Sequence, residues 1–211
     1  MRRDVELARA SRLVNHGPTV LVTSAHAGRI NVMAAAWSMP VEFTPPRIAV
    51  VIDKHTFTAE LVAASGRFGL CLPGRALADL TYTVGSVSGR DVADGEDGRD
   101  KFAHYGIERF DGPVLGLPML RDAIAWLECR VIDEPHTQQA YDTWFGEVVW
   151  AAADERVFRD GRWSFRADNT ELHTLHHLGG GAFAWPGEAV QARRLEPAPS
   201  PSARRLDSTR S

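Results

Sequence analysis

The chain of 211 residues is 44% hydrophobic and 24% charged, an ordinary globular composition long enough to close one sizeable core. Its 12 prolines and 18 glycines exclude collagen-like and low-complexity classes. A net charge of −3 leaves no electrostatic footprint for nucleic acid, and no apolar run approaches the roughly 20 residues that span a bilayer, so neither nucleic acid nor a membrane is an expected partner.

Residues 1–6 lack the apolar run of a signal peptide. Residues 19–23 form a strand candidate that turns near Gly28 into a second strand over 30–37. Pro45-Pro46 breaks the chain before a short apolar run at 48–52, of buried-strand length. A helix is expected from about Thr58 until Ser65-Gly66 stops it, followed by a strand over 68–73. Residues 77–84 read as helical, and 85–100 as a polar loop rich in Gly and Asp. Two long strands are predicted over 125–132 and 144–151, with a hairpin signal at Asp160-Gly161. Asn169 or Thr170 can cap a last helix ending at Gly179-Gly180-Gly181. Many short strands with a few short helices suggest a closed or partly closed barrel.

Residues 193–211 separate from the rest by composition. Five arginines against Glu196 and Asp207, with Pro197, Pro199 and Pro201 at every second position, leave almost nothing to bury. They are read as a disordered tail on a domain spanning 1–192. Elsewhere Cys71 and Cys129 are the only cysteines, too few for a disulfide scaffold or a structural zinc site, and a reduced cytoplasmic protein is the simplest reading.

Several catalytic motifs are missing. No G-x-G-x-x-G follows a strand, and neither Lys54 nor Lys101 follows a glycine, as a P-loop lysine must. Gly85-Ser86-Val87-Ser88-Gly89 puts valine where a nucleophile elbow needs serine. His173, His176 and His177 have spacings that place ligands on one helix face, yet histidines near a helix C-terminus also have a plain electrostatic role. No metal ligand and no catalytic side chain is assigned.

Two segments carry chemistry. Asn31-Val32-Met33-Ala34-Ala35-Ala36-Trp37 is a strand of mostly small side chains, which lets a planar ligand approach backbone N–H and C=O groups. In Lys54-His55-Thr56-Phe57-Thr58-Ala59-Glu60-Leu61, cationic and hydroxyl groups meet a helix N-terminus, a combination that suits phosphate. On spacing alone, a packing strand followed by an ordinary capped helix explains both more simply.

The order of segments resembles the flavin reductase-like family of FMN-binding split β-barrels, which includes flavoredoxins and the reductase components of two-component monooxygenases. The matching pieces are residues 18–23, 31–37 with Pro40-Val41, Pro45-Pro46, 54–61, 68–73, Ser88-Gly89-Arg90, Asp100-Lys101-Phe102-Ala103, Leu127-Glu128-Cys129 and Gly146-Glu147-Val148. The resemblance implies a mainly β fold with short helices, a six-stranded antiparallel split barrel that forms a homodimer with FMN at the subunit interface. It implies cofactor contacts from Asn31, Met33, Ala34, Ala35, Ala36, Trp37 and Cys71 around the ring and ribityl chain. Lys54, His55 and Thr58 fall by the phosphate, and Ser88, Gly89, Arg90 and Lys101 on a second approaching segment.

This chain departs from the family's pattern in places. Ala34 and Ala36 replace the usual Thr and Ser, Cys71 replaces a frequent Asn, Ala140-Tyr141 replaces a frequent Asp-His pair, and residues 93–99 are inserted. The implied activity is an oxidoreductase passing hydride from NAD(P)H to flavin, with a monooxygenase as a further implied partner. The alternatives are a non-catalytic FMN carrier or sensor, or a split barrel repurposed for another ligand such as heme. Trp37, Trp126, Trp144 and Trp150 supply aromatic area for core or interface.

Truncation after Ala192 is expected to leave melting temperature, oligomeric state and FMN content unchanged. A clear fall in melting temperature would show that the tail docks on the domain.

Overall fold

Backbone pairing is dominated by one antiparallel sheet in the computed structural model, which describes residues 2–13, 18–95 and 98–195. Its strands are β1 (Arg2–Asp4), β2 (Val20–His26), β3 (Arg29–Ala35), β4 (Ser38–Phe43), β5 (Pro46–Val51), β6 (Arg67–Leu72), β9 (Ala125–Ile132) and β10 (Thr143–Asp154). Between β6 and β9 lies a small separate ribbon of β7 (Arg109–Asp111) and β8 (Pro118–Leu120). The helices are α1 (Phe57–Ser65), α2 (Ala78–Ser86), α3 (Gly89–Ala93), α4 (Lys101–His104) and α5 (Pro135–Tyr141).

Strand order is β3-β2-β6-β9-β10-β5-β4, with β1 pairing the far end of β10. The outermost strands, β3 and β4, are not bonded to each other, so the barrel is split between them. Strands β2, β3, β5, β6, β9 and β10 are the six antiparallel strands of the split barrel that the resemblance implies. Strands β1 and β4 add to them. No periodicity signalled β4, because Pro40 and the following Pro45-Pro46 interrupt it; it is an edge strand, where proline costs no ladder bond.

All six barrel strands send side chains into one core, including Val20, Val22, Ile48, Val50, Phe68, Leu70, Leu127 and Trp144. A second core lies outside β2, β6 and β9, where Leu21, Cys71 and Trp126 pack against Val84 of α2, Phe102 of α4 and Met119 of β8. A bulge between Val148 and Trp150 shifts the alternation of β10. Val148 and Ala151 thus face the first core, while Trp150 and Ala152 face the second.

Local signals explain the joints. Ala27 and Gly28 both take positive φ (48° and 78°), as a tight hairpin between β2 and β3 requires. Helix α1 starts at Phe57, one residue before the expected Thr58; Thr56 caps it by accepting the Ala59 N–H. It ends at Gly66, whose left-handed conformation returns an N–H to Val62 O. The polar loop of 85–100 contains the short α3.

The expected last helix is absent. A 3-10 turn over Ala167–Leu172 leads instead into a hairpin of β13 (His176–Gly179) and β14 (Ala182–Ala184), which follows the small hairpin of β11 (Phe158–Arg159) and β12 (Arg162–Trp163) signalled by Asp160-Gly161. The three glycines at 179–181 make the hairpin's reversal, all with positive φ, and do not stop a helix. Of the tail read as disordered, residues 196–211 lie outside the described residues.

Glu128 of β9 is fully buried, and its carboxylate accepts the N–H groups of Val114 (2.8 Å), Leu115 (2.9 Å) and Leu117 (3.3 Å). It therefore fixes the loop joining β7 to β8 beneath the second core. Glu128→Ala leaves those donors without their acceptor and is expected to cost on the order of 3 kcal/mol, with a smaller loss for Glu128→Gln, which keeps one oxygen. Urea unfolding of the two variants checks both the loss and its order.

Candidate functional site

The site is organised by the free edge of β3. Strand β3 pairs only with β2, so every second residue presents its N–H and C=O to the open side. Val32 is one of these residues, since its carbonyl accepts Lys101 Nζ at 3.0 Å, and Ala34 therefore faces the same side. The ammonium also donates to Val84 O at 2.7 Å, bridging β3 and α2. Lys101 is 2% exposed, and among the described residues no carboxylate pairs with it. Burial pushes its amine down from 10.5 to about 8.

Beside this lysine lies a cleft of about 290 Å³, lined by Asn31 and Met33 of β3, His55 to Thr58 at the start of α1, Val84 to Gly89, Lys101, and Asp53, whose carboxylate accepts the His55 N–H at 2.7 Å. Two contacts shape it. Asn31 Nδ2 donates to Thr58 Oγ1 at 2.9 Å, tying β3 to the first turn of α1. A Cβ on Gly89 would lie 2.3 Å from Asn31 Oδ1, so only glycine permits this approach of the α3 N-terminus. First-turn N–H groups of a helix lack intrahelical partners and favour anions, and Phe57 and Thr58 supply them here.

The nearby arginines are engaged elsewhere. Arg29 and Arg90 share the Glu60 carboxylate, each at 3.0 Å, and Arg90 also donates to His55 O at 2.9 Å. The Arg90 hydrogen bond holds the Glu60 carboxyl below the usual carboxylate range, with Arg29 adding to it. Arg90 thus steadies the loop carrying His55.

A second cleft of about 360 Å³ opens between α2 and the β13–β14 hairpin. It shares Gly85 and Ser86 with the first, and adds Ala34, Ala36, Tyr82, His177 and Phe183. A Cβ on Gly85 would lie 2.9 Å from Ala34 Cβ, so glycine sets how closely α2 approaches β3. The hairpin is anchored at its base. Thr19 N–H donates to Leu175 O at 2.7 Å, and the His173 ring nitrogens sit 2.8 Å from Pro186 O and 3.0 Å from Arg166 O.

Of the residues expected from the sequence, Asn31, Met33, His55, Thr58, Ser88, Gly89 and Lys101 line the first cleft, and Ala34 and Ala36 the second. The others lie elsewhere. Lys54 bonds Gln139 O (2.8 Å) and pairs with Asp142 (3.2 Å). Ala35 faces the barrel core, Trp37 is 73% exposed beyond β3, and Arg90 is held by Glu60. Cys71 is fully buried against Met119 in the second core, and burial pushes its thiol up to about 12, so it is an inert core residue. His176 and His177 stand on a strand rather than a helix, and among the described residues no three metal-ligating side chains gather.

Sequence reasoning missed Gly85, Ser86, Tyr82 and Phe183. Only the glycine spacing of 85–89 could have pointed to the first two, and the wrong helix assignment hid the hairpin.

The flavin reductase-like domain description matches residues 12–172. The chain belongs to the flavin reductase-like family. Within it, the uncharacterized protein YddH of Escherichia coli (strain K12) is 54% identical over 191 residues, covering 89% of this chain and 96% of YddH. An FMN-binding domain of a flavin reductases-like enzyme from Shewanella baltica OS155 superposes with a TM-score of 0.86 at 41% identity, covering 92% of this chain and 98% of that one. Flavoredoxin of Desulfovibrio vulgaris (Miyazaki F) shares the fold at a TM-score of 0.69 and 24% identity, over 83% and 90% of the two chains. As a flavin reductase-like protein, the chain thus has the split-barrel fold of proteins that bind FMN. No helix among the described residues is long and apolar enough to cross a membrane.

Lys101 makes a pH prediction for the ligand-free protein. Its folded value near 8 lies below the ordinary 10.5, so between these values the unfolded chain binds more protons and stability from this group rises with pH. Urea unfolding from pH 7 to pH 10 (roughly the window set by that linkage) should show the wild type gaining on Lys101→Met as pH increases. A constant difference would refute the assignment.

Proposed function

We propose that the protein binds FMN along the free edge of β3 and acts as an NAD(P)H-dependent flavin oxidoreductase. The observation that carries this reading is a buried ammonium without a carboxylate partner, set beside an open strand edge and a helix N-terminus. The donors fit the cofactor's parts. The first turn of α1, with His55 and Ser88, suits the phosphate. Lys101 supplies positive charge midway along the strand. Ala34, with its small side chain and outward N–H and C=O, suits the polar edge of a flat heterocycle.

The chemistry that FMN supplies when bound is two-electron transfer, from NAD(P)H to free flavin, oxygen or a partner monooxygenase. The protein's own residues bind and orient. Asn31 and Gly89 hold the phosphate end rigid, Gly85 sets the width of the passage between α2 and β3, and Lys101 keeps a cation where water is largely excluded. No side chain is needed to move a proton for hydride delivery, and none is assigned that role.

A homodimer fits the same surface. Trp37 just before β4, and Met39, Val41 and Phe43 on it, are 73%, 58%, 39% and 71% exposed, an apolar stripe along an edge strand whose register shifts between Pro40 and Glu42. Trp37 directly follows Ala36 of the second cleft, so a second copy laid on this stripe would wall the site. A cytoplasmic setting accords with the two buried free cysteines.

The purified protein should take up FMN, and anaerobic NADH or NADPH should bleach its flavin absorbance. Lys101→Met should weaken FMN by about tenfold or more, the worth of a charge-assisted bond, without changing the circular dichroism spectrum. Wild-type affinity should fall as pH rises through about 8, where the ammonium is lost. FMN affinity indifferent to both changes would overturn the placement, and binding without bleaching would leave a carrier in place of an enzyme.

A further inference from the structure

We propose that His173 is a positioning residue that acts through its charge. With a proton on each ring nitrogen it ties down the β13–β14 hairpin, and loss of one proton releases the hairpin's outgoing strand. The consequence for FMN rests on the reading above, since this hairpin walls the cofactor site; the latch itself does not.

The three oxygens around the ring are all acceptors. His173 is 4% exposed, with Nδ1 2.8 Å from Pro186 O, and Nε2 3.0 Å from Arg166 O and 3.1 Å from Asn169 Oδ1. Asn169 cannot turn its amide to offer a proton. Its Oδ1 already accepts the Arg166 N–H at 2.8 Å, and its Nδ2 donates to Arg156 O (3.1 Å) and Ser164 O (2.8 Å). Only the imidazolium, with an N–H on each nitrogen, satisfies this setting. A neutral ring has one N–H and turns its other lone pair toward a carbonyl oxygen. Two oxygens face Nε2 and one faces Nδ1, so the remaining proton stays on Nε2 and the bond to Pro186 is lost.

Neighbouring charges are matched among themselves. Arg166 pairs with Asp168 at 2.9 Å, Arg156 with Asp154, and Arg75 with Glu171 at 3.5 Å. Glu188, past Pro186, is exposed, and the Phe165 ring packed 5.0 Å from the imidazole carries no charge. Among the described residues no carboxylate pairs with His173. The hairpin's own titratable groups are His176, whose burial holds it below the ordinary imidazole range, and His177. Imidazole is the side chain that ordinarily changes charge between about pH 5 and pH 8.

The two strands of the hairpin are held differently. The incoming strand is fixed by backbone bonds, from Thr19 N–H to Leu175 O at 2.7 Å and through the bridge between Gly74 and Thr174. The outgoing strand is held at Pro186 by His173 and at Trp185 by the Arg75 guanidinium, 4.5 Å above its ring. Phe183 stands on this strand and lines the cleft with Ala34 and Ala36. The proton on Nδ1 thus sets where the wall of the cofactor site stands, and the wall is firmest at low pH.

Amide hydrogen exchange across the His177–Phe183 and His176–Ala184 pairs of ligand-free protein, corrected for the intrinsic effect of pH, tests the latch. Wild-type protection should fall about tenfold between about pH 5.5 and pH 8, the worth of one charge-assisted bond. His173→Gln should show low protection without that step. Ring nitrogen NMR shifts should place the neutral form's proton on Nε2. The proposal is overturned by flat wild-type protection, by an equal step in His173→Gln, which would assign it to His176 or His177, or by a neutral ring protonated on Nδ1. Should His173→Gln fail to fold, wild-type exchange and the tautomer decide. Over the same range, FMN affinity should fall about threefold more in the wild type than in His173→Gln, the worth of one aromatic wall contact. His55 and Lys101 act alike in both proteins, so equal falls overturn the link to the cofactor site. Protein that takes up no FMN at either pH refutes the FMN reading, while hairpin exchange still judges the latch.

Discussion

An unpaired strand edge is costly to leave inside a fold, and this molecule keeps one. Strand β3 has a partner on one side only, and the barrel does not close across to β4. Lys101 makes the open edge tolerable by satisfying Val32 O and Val84 O together, so that α2 is held beside β3 without pairing to it. Were β4 to complete the ladder, the outward groups of Ala34 would be consumed and both clefts would vanish. The split in the barrel is therefore the feature from which the binding surface follows.

Holding that gap at a fixed width falls to glycines and buried polar contacts. Gly85 meets Ala34, and Gly89 meets Asn31, each at a distance that no Cβ would allow. Beneath them, Glu128 fixes the loop under the second core, on which α2 and α4 rest through Val84 and Phe102. A lysine buried without a carboxylate is unfavourable for folding alone. Such a group persists when the surrounding structure holds it and when an anionic ligand recovers the cost, which links the stability of this region to occupancy of the site.

Much of the fold was legible because its signals are local. The strand over 125–132, the helix stop at Gly66 and the reversal at Asp160-Gly161 each depend on a few neighbouring residues. The site was legible in part. Asn31, His55, Thr58 and Gly89 meet because a short-range cap and a hairpin bring them together, and the resemblance added Lys101. Cys71 and Lys54 were misread for a different reason. Whether a strand residue faces the core, or a lysine finds Asp142, depends on packing between distant elements that no spacing encodes. The hairpin at 176–184 failed most plainly, since three glycines signal a helix stop and a strand reversal equally well.

The alanines at 34 and 36 then acquire a physical sense. Where relatives usually place hydroxyls, this chain leaves a smooth floor and depends on backbone groups, which cannot rotate away and cost no side-chain entropy when a ligand binds. The floor lies open beneath Tyr82 and the β13–β14 hairpin, which bound the room above it. Small residues on the strand and aromatic residues on the hairpin thus line the same cleft. The former let a flat ring come close to β3, and the latter limit what can lie against it.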